Sequence, residues 1–347
     1  MTHRSAASAP HGPPVPANSP GSSPQPPKPR ASRKPKALRR GDTLGLIAPS
    51  GSTKDRGAAA RGMAALEALG FKVKAGQSCL VERYGYLAAD DDLRASDINA
   101  FFAEPSIDGI VCFKGGYGTP RILDRIDYDT VRANPKAFIG YSDITALHLA
   151  FARYAGFPTY HGIMAMSMTG SADSFSIDAW LACIMASGPL GALAYPPPAA
   201  GVQAERPTAL VGGQARGVLM GGNLSLVAAL AGTPYALEPE GKILFLEDVG
   251  EEPYRIDRML TGLRLSGAFE RCAGVLLGGW TDCEPDDPER SLTLRRVFED
   301  VIAPSGKPLL MGFPVGHCVP TLCLPLGVEA LLDADAGTLT ILEAACE

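Results

Sequence analysis

Residues 137–145, Ala-Phe-Ile-Gly-Tyr-Ser-Asp-Ile-Thr, restrict the fold more than any other stretch of the sequence. The first three are apolar and predict the end of a short buried strand. Gly140 permits a sharp turn, because glycine has no Cβ to clash with the backbone. From Asp143 onward, apolar residues recur at helical spacing. The pattern predicts a strand, a tight turn that carries Ser142, and an amphipathic helix.

The sequence of residues 137–145 alone is compatible with two interpretations of Ser142. A serine between a strand and a helix has its hydroxyl at the carboxyl edge of the sheet, beside free helix amides that can stabilise an oxyanion. This geometry is that of a nucleophile elbow, although the usual motif is Gly-x-Ser-x-Gly and Ile144 stands at its last position. The alternative is that Ser142 or Asp143 only caps the helix.

Strands and helices alternate from residue 41 to 186 and predict an α/β domain. Residues 43–48 form a continuous apolar run, typical of a strand buried on both faces, and a helix is expected at 56–69. Such strand, helix, strand units predict a parallel sheet. Residues 187–207 are rich in Gly and Pro, which excludes regular helix or central strand. We therefore predict a linker there and a second domain at 208–347.

A glycine-rich loop, Lys-Gly-Gly-Tyr-Gly-Thr at 114–119, follows a predicted strand at 109–113. Glycines directly after a strand indicate a backbone that turns with positive φ or approaches another group closely. The loop lacks both the dinucleotide spacing and the Gly-Lys-Ser/Thr ending, which disfavours a nucleotide ligand. A loop that offers amides to an anionic or oxyanionic group and a plain tight turn both fit the pattern.

In the second predicted domain, two polar residues stand at the ends of apolar strands. Glu247 directly follows the strand 242–246, and His317 lies in a turn after a later strand. A carboxylate held rigidly beside an imidazole orients and charges it. Glu247 is alternatively a solvated acid or a partner of Arg255 or Arg258.

The body of the chain contains two further histidines, and Asn223 precedes a predicted helix that it can cap. His148 falls within the helix after Ser142 and points away from the turn, which favours a structural role. His161 follows a strand end, where a side chain can line a pocket. Taken alone, each histidine is more often structural than catalytic.

Residues 1–40 differ in composition from the rest of the chain. They carry eight Lys or Arg and no acid, so the overall net charge of −5 leaves −13 for the remainder. An acidic body disfavours nucleic acid as a partner. The segment is rich in Pro, Ser and Ala with almost no large apolar side chains, and we expect a disordered leader. The sequence has no apolar run of the length of a secretory signal core before Leu44, or of a transmembrane helix anywhere.

The eight cysteines are scattered, without Cys-x-x-Cys pairs or His-rich neighbours at metal-ligand spacing. This pattern predicts reduced thiols in a cytoplasmic protein and no metal site. The cysteines are Cys79, Cys112, Cys183, Cys272, Cys283, Cys318, Cys323 and Cys346.

Five motifs occur in order between about Arg40 and Leu342. They are Lys114-Gly115-Gly116-Tyr117-Gly118; Gly140-Tyr141-Ser142-Asp143-Ile144-Thr145; Gly221-Gly222-Asn223-Leu224; Leu246-Glu247-Asp248 with Pro253-Tyr254-Arg255-Ile256-Asp257-Arg258-Met259-Leu260; and Gly316-His317 with Leu324-Pro325-Leu326-Gly327. Together they resemble the LD-carboxypeptidase family of serine peptidases, which includes muramoyltetrapeptide carboxypeptidase and the microcin-immunity peptidases. Five linked motifs in one order are far more specific than any one alone.

The resemblance implies an α/β fold with a flavodoxin-like N-terminal domain, a parallel sheet with helices on both faces, and a smaller β-rich α/β C-terminal domain. It implies a Ser-His-Glu triad shared between these domains. Ser142 is then the nucleophile, His317 the general base and later acid, and Glu247 the residue that orients His317. No metal or other cofactor is required.

The same resemblance implies how the reacting group is held. The backbone amides of Asp143 and of the Gly115 and Gly116 region are expected to stabilise the oxyanion. The family's glycine loop commonly begins with arginine, whereas this chain has Lys114. Lysine keeps the positive charge but loses bidentate carboxylate binding.

The typical substrate of the family is a cytoplasmic murein tetrapeptide under recycling, which loses its C-terminal D-alanine through an acyl-enzyme. A homodimer without nucleic-acid or membrane partners is expected. One alternative is a self-immunity peptidase that cleaves a peptide-nucleotide antibiotic, for which an aromatic residue must stack on a base; Trp180 and Trp280 are the only tryptophans. The other alternative is a non-catalytic protein that binds an anion through the glycine loop.

Overall fold

The computed structural model describes residues 33–81, 84–196 and 206–347, and its strands form two sheets. The strands are β1 (Thr43–Ile47), β2 (Lys72–Ala75), β3 (Gly109–Cys112), β4 (Ala137–Gly140), β5 (Thr159–His161), β6 (Gly191–Ala192), β7 (Thr208–Val211), β8 (Gln214–Asn223), β9 (Ile243–Val249), β10 (Gly274–Thr281), β11 (Leu309–Met311), β12 (Leu324–Leu326), β13 (Glu329–Asp333) and β14 (Thr338–Ile341). The α-helices are α1 (Ala58–Ala68), α2 (Asp91–Ala103), α3 (Tyr128–Ala133), α4 (Thr145–Tyr154), α5 (Ala165–Met168), α6 (Ser174–Met185), α7 (Leu224–Ala229), α8 (Pro253–Leu265), α9 (Ala268–Arg271) and α10 (Leu294–Val301).

Five strands of the first sheet are parallel and occur in the order β2-β1-β3-β4-β5, the flavodoxin-like order. All residues of β3, β4 and β5 are buried, as expected where helices cover both faces. The strand order reverses between β1 and β3, which leaves a crevice at the carboxyl ends of these strands. The predicted fold of the N-terminal domain is confirmed.

A sixth strand joins this sheet from the far end of the chain. β12 pairs antiparallel with β5, with Leu324 opposite His161 and Leu326 opposite Thr159. Pro325 is tolerated because β12 is an edge strand. The expectation that residues 208–347 belong wholly to the second domain is therefore corrected at β12, since pairing over such a distance leaves no local sequence signal.

The second sheet has eight strands in the order β6-β14-β13-β8-β9-β10-β11-β7. Its central strands β8 to β11 are parallel, and its outer strands are antiparallel. Helix α8 packs against α7 and α10 beside this sheet, and the predicted β-rich α/β domain is confirmed. The predicted linker contains β6, which is an edge strand, and residues 197–205 of that linker lie outside the described residues.

The two sheets meet where β8 approaches the start of α4. Thr145 Oγ1 accepts a hydrogen bond from Asn223 N at 3.0 Å. Gly222 has a φ of 140°, and a Cβ on it would lie 2.5 Å from Thr145 Oγ1, so only glycine allows this approach. Asn223 also caps α7 through a hydrogen bond from Leu226 N, as predicted.

The segment 33–40, which composition assigns to the leader, packs against the body instead. The side chain of Leu38 is buried in the core, and Leu38 N donates to Ile184 O at 3.1 Å. Ala37 N donates to Glu347 O, and Glu347 N donates to Pro35 O. A prediction from average composition does not detect a single leucine that fills a core position. Residues 1–32 lie outside the described residues.

Among the described residues, the structure has no helix that is both long enough and apolar enough to cross a bilayer.

Candidate active site

Ser142 lies in a sharp turn directly after β4. Its φ of 66° is left-handed, a conformation that only one other non-glycine residue adopts among those described. Such strain costs about 1–3 kcal/mol and is concentrated at functional sites. A 3₁₀ turn at Ser142–Ile144 separates β4 from α4. The helix therefore starts at Thr145 rather than at Asp143. Neither the 3₁₀ turn nor α4 has a side-chain hydrogen bond that caps its start, which argues against the capping interpretation of Ser142.

Asp143 points into the protein. Its Oδ2 accepts hydrogen bonds from Ser50 Oγ at 2.6 Å and from Thr119 N at 2.8 Å, and its backbone carbonyl accepts one from Thr119 Oγ1. Burial raises the pKa of the carboxyl group, while the bonds from Ser50 and Thr119 act in the opposite direction. The carboxylate thus ties the Ser142 turn to the loops after β1 and β3, while its Oδ1 is buried without a hydrogen-bond partner among the described residues.

The glycine loop after β3 lies against Ser142. A Cβ on Gly115 would lie 2.8 Å from Ser142 Oγ, and Gly116 has a φ of 119°. Arg94, which is fully buried, holds the loop from behind through hydrogen bonds from Nη1 to Gly118 O at 2.9 Å and to Pro49 O at 2.6 Å. Neither Arg94 nor Ser50 was predicted as a site residue.

His317 meets Glu247, which lies within β9 rather than after the end of the strand as predicted. His317 Nδ1 lies 2.6 Å from Glu247 Oε2, and His317 N donates to the same oxygen at 3.0 Å. A Cβ on Gly316 would lie 2.5 Å from Glu247 Oε2, so glycine is required for this approach. Burial alone would lower the pKa of His317, but the hydrogen bond and charge of Glu247 outweigh burial, and the pKa lies above its usual value.

Ser142 and His317 line one cleft of about 450 Å³ between the two sheets. The ring of Tyr141 packs beside His317 at a centroid distance of 4.7 Å. The structure therefore brings Ser142, Gly115, Gly116 and His317 to one cleft, with Glu247 behind His317. The other residues that line the cleft are Lys114, Met164, Met166, Ser167, Thr169, Gly170 and Ser171.

His148 and His161 lie outside this cleft. His148 makes hydrogen bonds of 2.9 Å to Thr159 Oγ1 and to Gly140 O, and burial lowers its pKa to about 4, which agrees with a structural role. His161 is buried behind Tyr141, and neither ring nitrogen has a hydrogen-bond partner among the described residues. The expectation that His161 lines the pocket is not met.

Neither tryptophan is placed to stack on a ligand in the cleft. Trp180 is buried against Phe71, and Trp280 packs on Phe298 at a centroid distance of 5.0 Å. In the described part of the chain, no group of three or more His, Cys, Asp or Glu is arranged to hold a metal ion.

Both halves of the chain match family models. Residues 44–162 match the LD-carboxypeptidase N-terminal domain, and residues 216–332 match the LD-carboxypeptidase C-terminal domain. This chain belongs to the LD-carboxypeptidase family. It is a serine-type LD-carboxypeptidase, a hydrolase. The predicted family and enzyme class are confirmed, and the alternative of a non-catalytic anion-binding protein is wrong.

Curated relatives of this LD-carboxypeptidase act on murein peptides according to their names. A probable murein peptide carboxypeptidase of Bacillus subtilis is 40% identical over 89% of this chain and 94% of its own length. A murein tetrapeptide carboxypeptidase of Pseudomonas aeruginosa is 35% identical over 73% of this chain and 81% of its own length.

A solved structure shares the whole architecture of the LD-carboxypeptidase. The microcin C7 self-immunity protein MccF superimposes with a TM-score of 0.82 at 25% sequence identity, over 90% of this chain and 99% of that chain.

Proposed function

We propose that this LD-carboxypeptidase hydrolyses the last peptide bond of murein tetrapeptides and releases a C-terminal D-alanine. Relatives named for murein peptides at up to 40% identity support this substrate class. One observation carries the catalytic assignment: Ser142, with its left-handed backbone, shares a cleft with a histidine that Glu247 orients.

In this proposal His317 activates Ser142. Its Nδ1–H donates to Glu247 Oε2, which leaves the lone pair of Nε2 free to accept the proton of Ser142 Oγ. Oγ then attacks the carbonyl carbon of the L-configured residue, and an Oγ–C bond forms. His317 returns the proton to the leaving nitrogen as the C–N bond breaks, and D-alanine departs. Water, activated by His317 in the same way, hydrolyses the acyl-enzyme.

The oxyanion of each tetrahedral intermediate is held by backbone N–H groups. Gly115 packs directly against the hydroxyl of Ser142, and its hypothetical Cβ would lie 3.5 Å from Asp143 N. The N–H groups of Asp143, Gly115 and Gly116 are therefore the proposed donors. Fixed donors of this kind typically contribute about 3–4 kcal/mol each to transition-state stabilisation.

Release of D-alanine tests the proposal directly. The protein is incubated with tri-, tetra- and pentapeptide stems, and the released amino acid is identified by mass. We expect release from the tetrapeptide, and a loss of at least about 1,000-fold in kcat for Ser142→Ala and for His317→Ala. Ser106→Ala, which alters an exposed serine at the opposite edge of the first sheet, is the control. Turnover near wild type in Ser142→Ala or His317→Ala contradicts the triad.

The self-immunity alternative is less well supported. It needs an aromatic side chain to stack on a nucleotide base. Both tryptophans are packed away from the cleft, and the ring of Tyr141, which lines the cleft, is packed against His317. A role in peptidoglycan recycling, a cytoplasmic location and a homodimer remain predictions from the family resemblance, and light scattering of the purified protein checks the last.

A further inference from the structure

His317 is held from two sides by its own domain. Glu247 Oε2 lies 2.6 Å from His317 Nδ1 and accepts a hydrogen bond from the backbone N–H of His317 at 3.0 Å. The hydroxyl of Thr281, the last residue of β10, donates to the backbone carbonyl of His317. These bonds fix the backbone of the turn and one edge of the imidazole. Because Glu247 and Thr281 both belong to the second domain, the placement of the imidazole relative to Ser142 also depends on what the first domain presents to it.

Tyr141 supplies such a contact from the first domain. Among the described residues, its ring makes the one aromatic contact of the His317 ring, at a centroid distance of 4.7 Å and an interplanar angle of 51°. Tilted rings at this distance attract each other, because the positive edge of one ring meets the negative face of the other. Tyr141 lies between β4 and Ser142. The residue that packs on the imidazole is therefore the chain neighbour of the proposed nucleophile.

Tyr141 is itself fixed at both ends. Its backbone carbonyl accepts a hydrogen bond from Ile144 N at 3.3 Å, within the turn that carries Ser142. Its hydroxyl lies 3.3 Å from Ser167 Oγ in α5. Burial raises the pKa of Tyr141, so the hydroxyl stays protonated and is able to donate to Ser167. The buried ring of His161 packs on Tyr141 at a centroid distance of 5.8 Å, so the tyrosine ring has little freedom to move.

We propose that Tyr141 is a positioning residue, whose ring holds the imidazole of His317 where it can take the proton of Ser142. This inference rests on the proposed function and adds a residue that neither gives nor accepts a proton in the reaction. Without the ring, the imidazole is free to tilt about its hydrogen bond to Glu247 into the space beside it. A misplacement of about 1 Å lowers a rate by roughly 100-fold.

Two substitutions separate the ring of Tyr141 from its hydroxyl. Tyr141→Phe keeps the ring and should retain kcat for D-alanine release within about 3-fold, since the hydroxyl contact with Ser167 is long for a hydrogen bond. Tyr141→Leu removes the flat ring and should lower kcat by roughly 10- to 100-fold with little change in KM. Tyr141→Met, which has a longer unbranched side chain, should show the same loss and replaces the leucine variant if that protein does not fold.

The same substitution in a second background shows whether Tyr141 acts through His317. Tyr141→Leu is compared in the wild type and in His317→Ala, with a p-nitrophenyl ester of the stem tripeptide, whose leaving group departs without a proton from His317. We expect a loss of about 10-fold or more in the wild type and none in His317→Ala, because a positioning residue has no effect once the group that it positions is absent. A loss of equal size in both backgrounds overturns the inference.

Tyr128→Leu is the matched control for the loss of a partly buried tyrosine ring. Tyr128 packs on Tyr154 and Tyr235 at centroid distances of 5.0 and 6.4 Å, and its hydroxyl donates to Leu123 O. Its substitution should lower the temperature of thermal unfolding but leave kcat near wild type. An active wild type with unchanged kcat in Tyr141→Leu, or an equal loss in Tyr141→Phe and Tyr141→Leu, overturns the inference alone. A wild type that releases no D-alanine refutes the proposed function, while the ester still tests Tyr141.

Discussion

At the scale of single residues, three glycines allow the side chains of the cleft to meet. Gly316 lets Glu247 approach the backbone of His317, Gly115 lies against the hydroxyl of Ser142, and Gly222 lies against Thr145. Each contact would be broken by a methyl group. The geometry of the cleft therefore requires glycine at these three positions as well as the polar side chains that they bring together.

Glu247→Gln tests the electrostatic role of the carboxylate at nearly constant volume. Glu247 raises the pKa of His317. Because only the neutral imidazole accepts a proton, the activity of the wild type should increase with pH, and the midpoint of the increase should lie above the usual pKa of histidine. Removal of the charge should move this acid limb of kcat/KM to lower pH and reduce kcat by about 10³- to 10⁴-fold. The measurement is a pH profile of D-alanine release.

Glu329→Gln is the matched control, because Glu329 is paired with Arg216 on the surface of β13. Glu329→Gln should leave the pH dependence of D-alanine release unchanged. An acid limb that stays at the wild-type pH in Glu247→Gln would show that this carboxylate does not tune His317.

Sequence reasoning singled out Ser142, Glu247 and His317 because each follows an apolar run. The structure brings the three together, although β9 continues past Glu247 to Val249. Sequence reasoning missed Ser50 and Arg94, whose partners lie far away in the chain. A buried arginine in a helix with ordinary surface composition has no local signature. The contacts of such residues are apparent only in the folded structure, in which the loops that they join lie together.

At the scale of elements, the sequence predicted the strand, turn and helix at the junction of β4 and α4 but not the residue at which the helix begins. The strand, turn and helix occur as expected, while the helix begins at Thr145 because Ser142 has a left-handed backbone. The contact between α4 and β8 could not be predicted, since it depends on how two sheets dock. That contact places the Ser142 turn beside the second domain.

Gly222→Ala tests this junction. A Cβ would lie 2.5 Å from Thr145 Oγ1, so β8 and α4 must separate by part of an ångström. We expect a loss of about 1–3 kcal/mol in the free energy of unfolding and, because Ser142 and His317 lie on opposite sides of the junction, a fall in kcat of about 100-fold. Denaturant unfolding and D-alanine release measure the two effects.

The control is Gly241→Ala, at a glycine with a φ of 65° and no atom within 4 Å of the added Cβ. It carries backbone strain without a clash and should leave kcat near wild type. A Gly222→Ala variant with unchanged kcat would show that the docking of the two sheets does not control the reaction.

At the scale of the whole molecule, the two ends of the described chain meet. Residues 35 and 37 pair with Glu347, and Leu38 fills a core position beside β1 and β3. Composition predicted the acidic body and the two-domain arrangement, but it placed the start of the folded body too late. Average composition cannot detect a single buried leucine within a basic segment.

Leu38→Ala should lower the free energy of unfolding by about 2–5 kcal/mol, as for other leucines in a packed core. Lys36→Ala, at an exposed position two residues earlier, should have little effect. A protein that starts at residue 33 should match the full chain in thermal unfolding, and one that starts at residue 39 should unfold at a lower temperature. Equal stability of these two truncated proteins would contradict the packing of residues 33–38.

β12 has a consequence for the order of events during synthesis. The open edge of β5 remains without its neighbour until the ribosome has added Leu324–Leu326, which follow all strands of the second sheet except β13 and β14. An uncovered strand edge is a template for pairing with other chains. The nascent protein must therefore protect β5 from other chains until strands β6 to β11 have been synthesised, and the first sheet becomes complete only after that point.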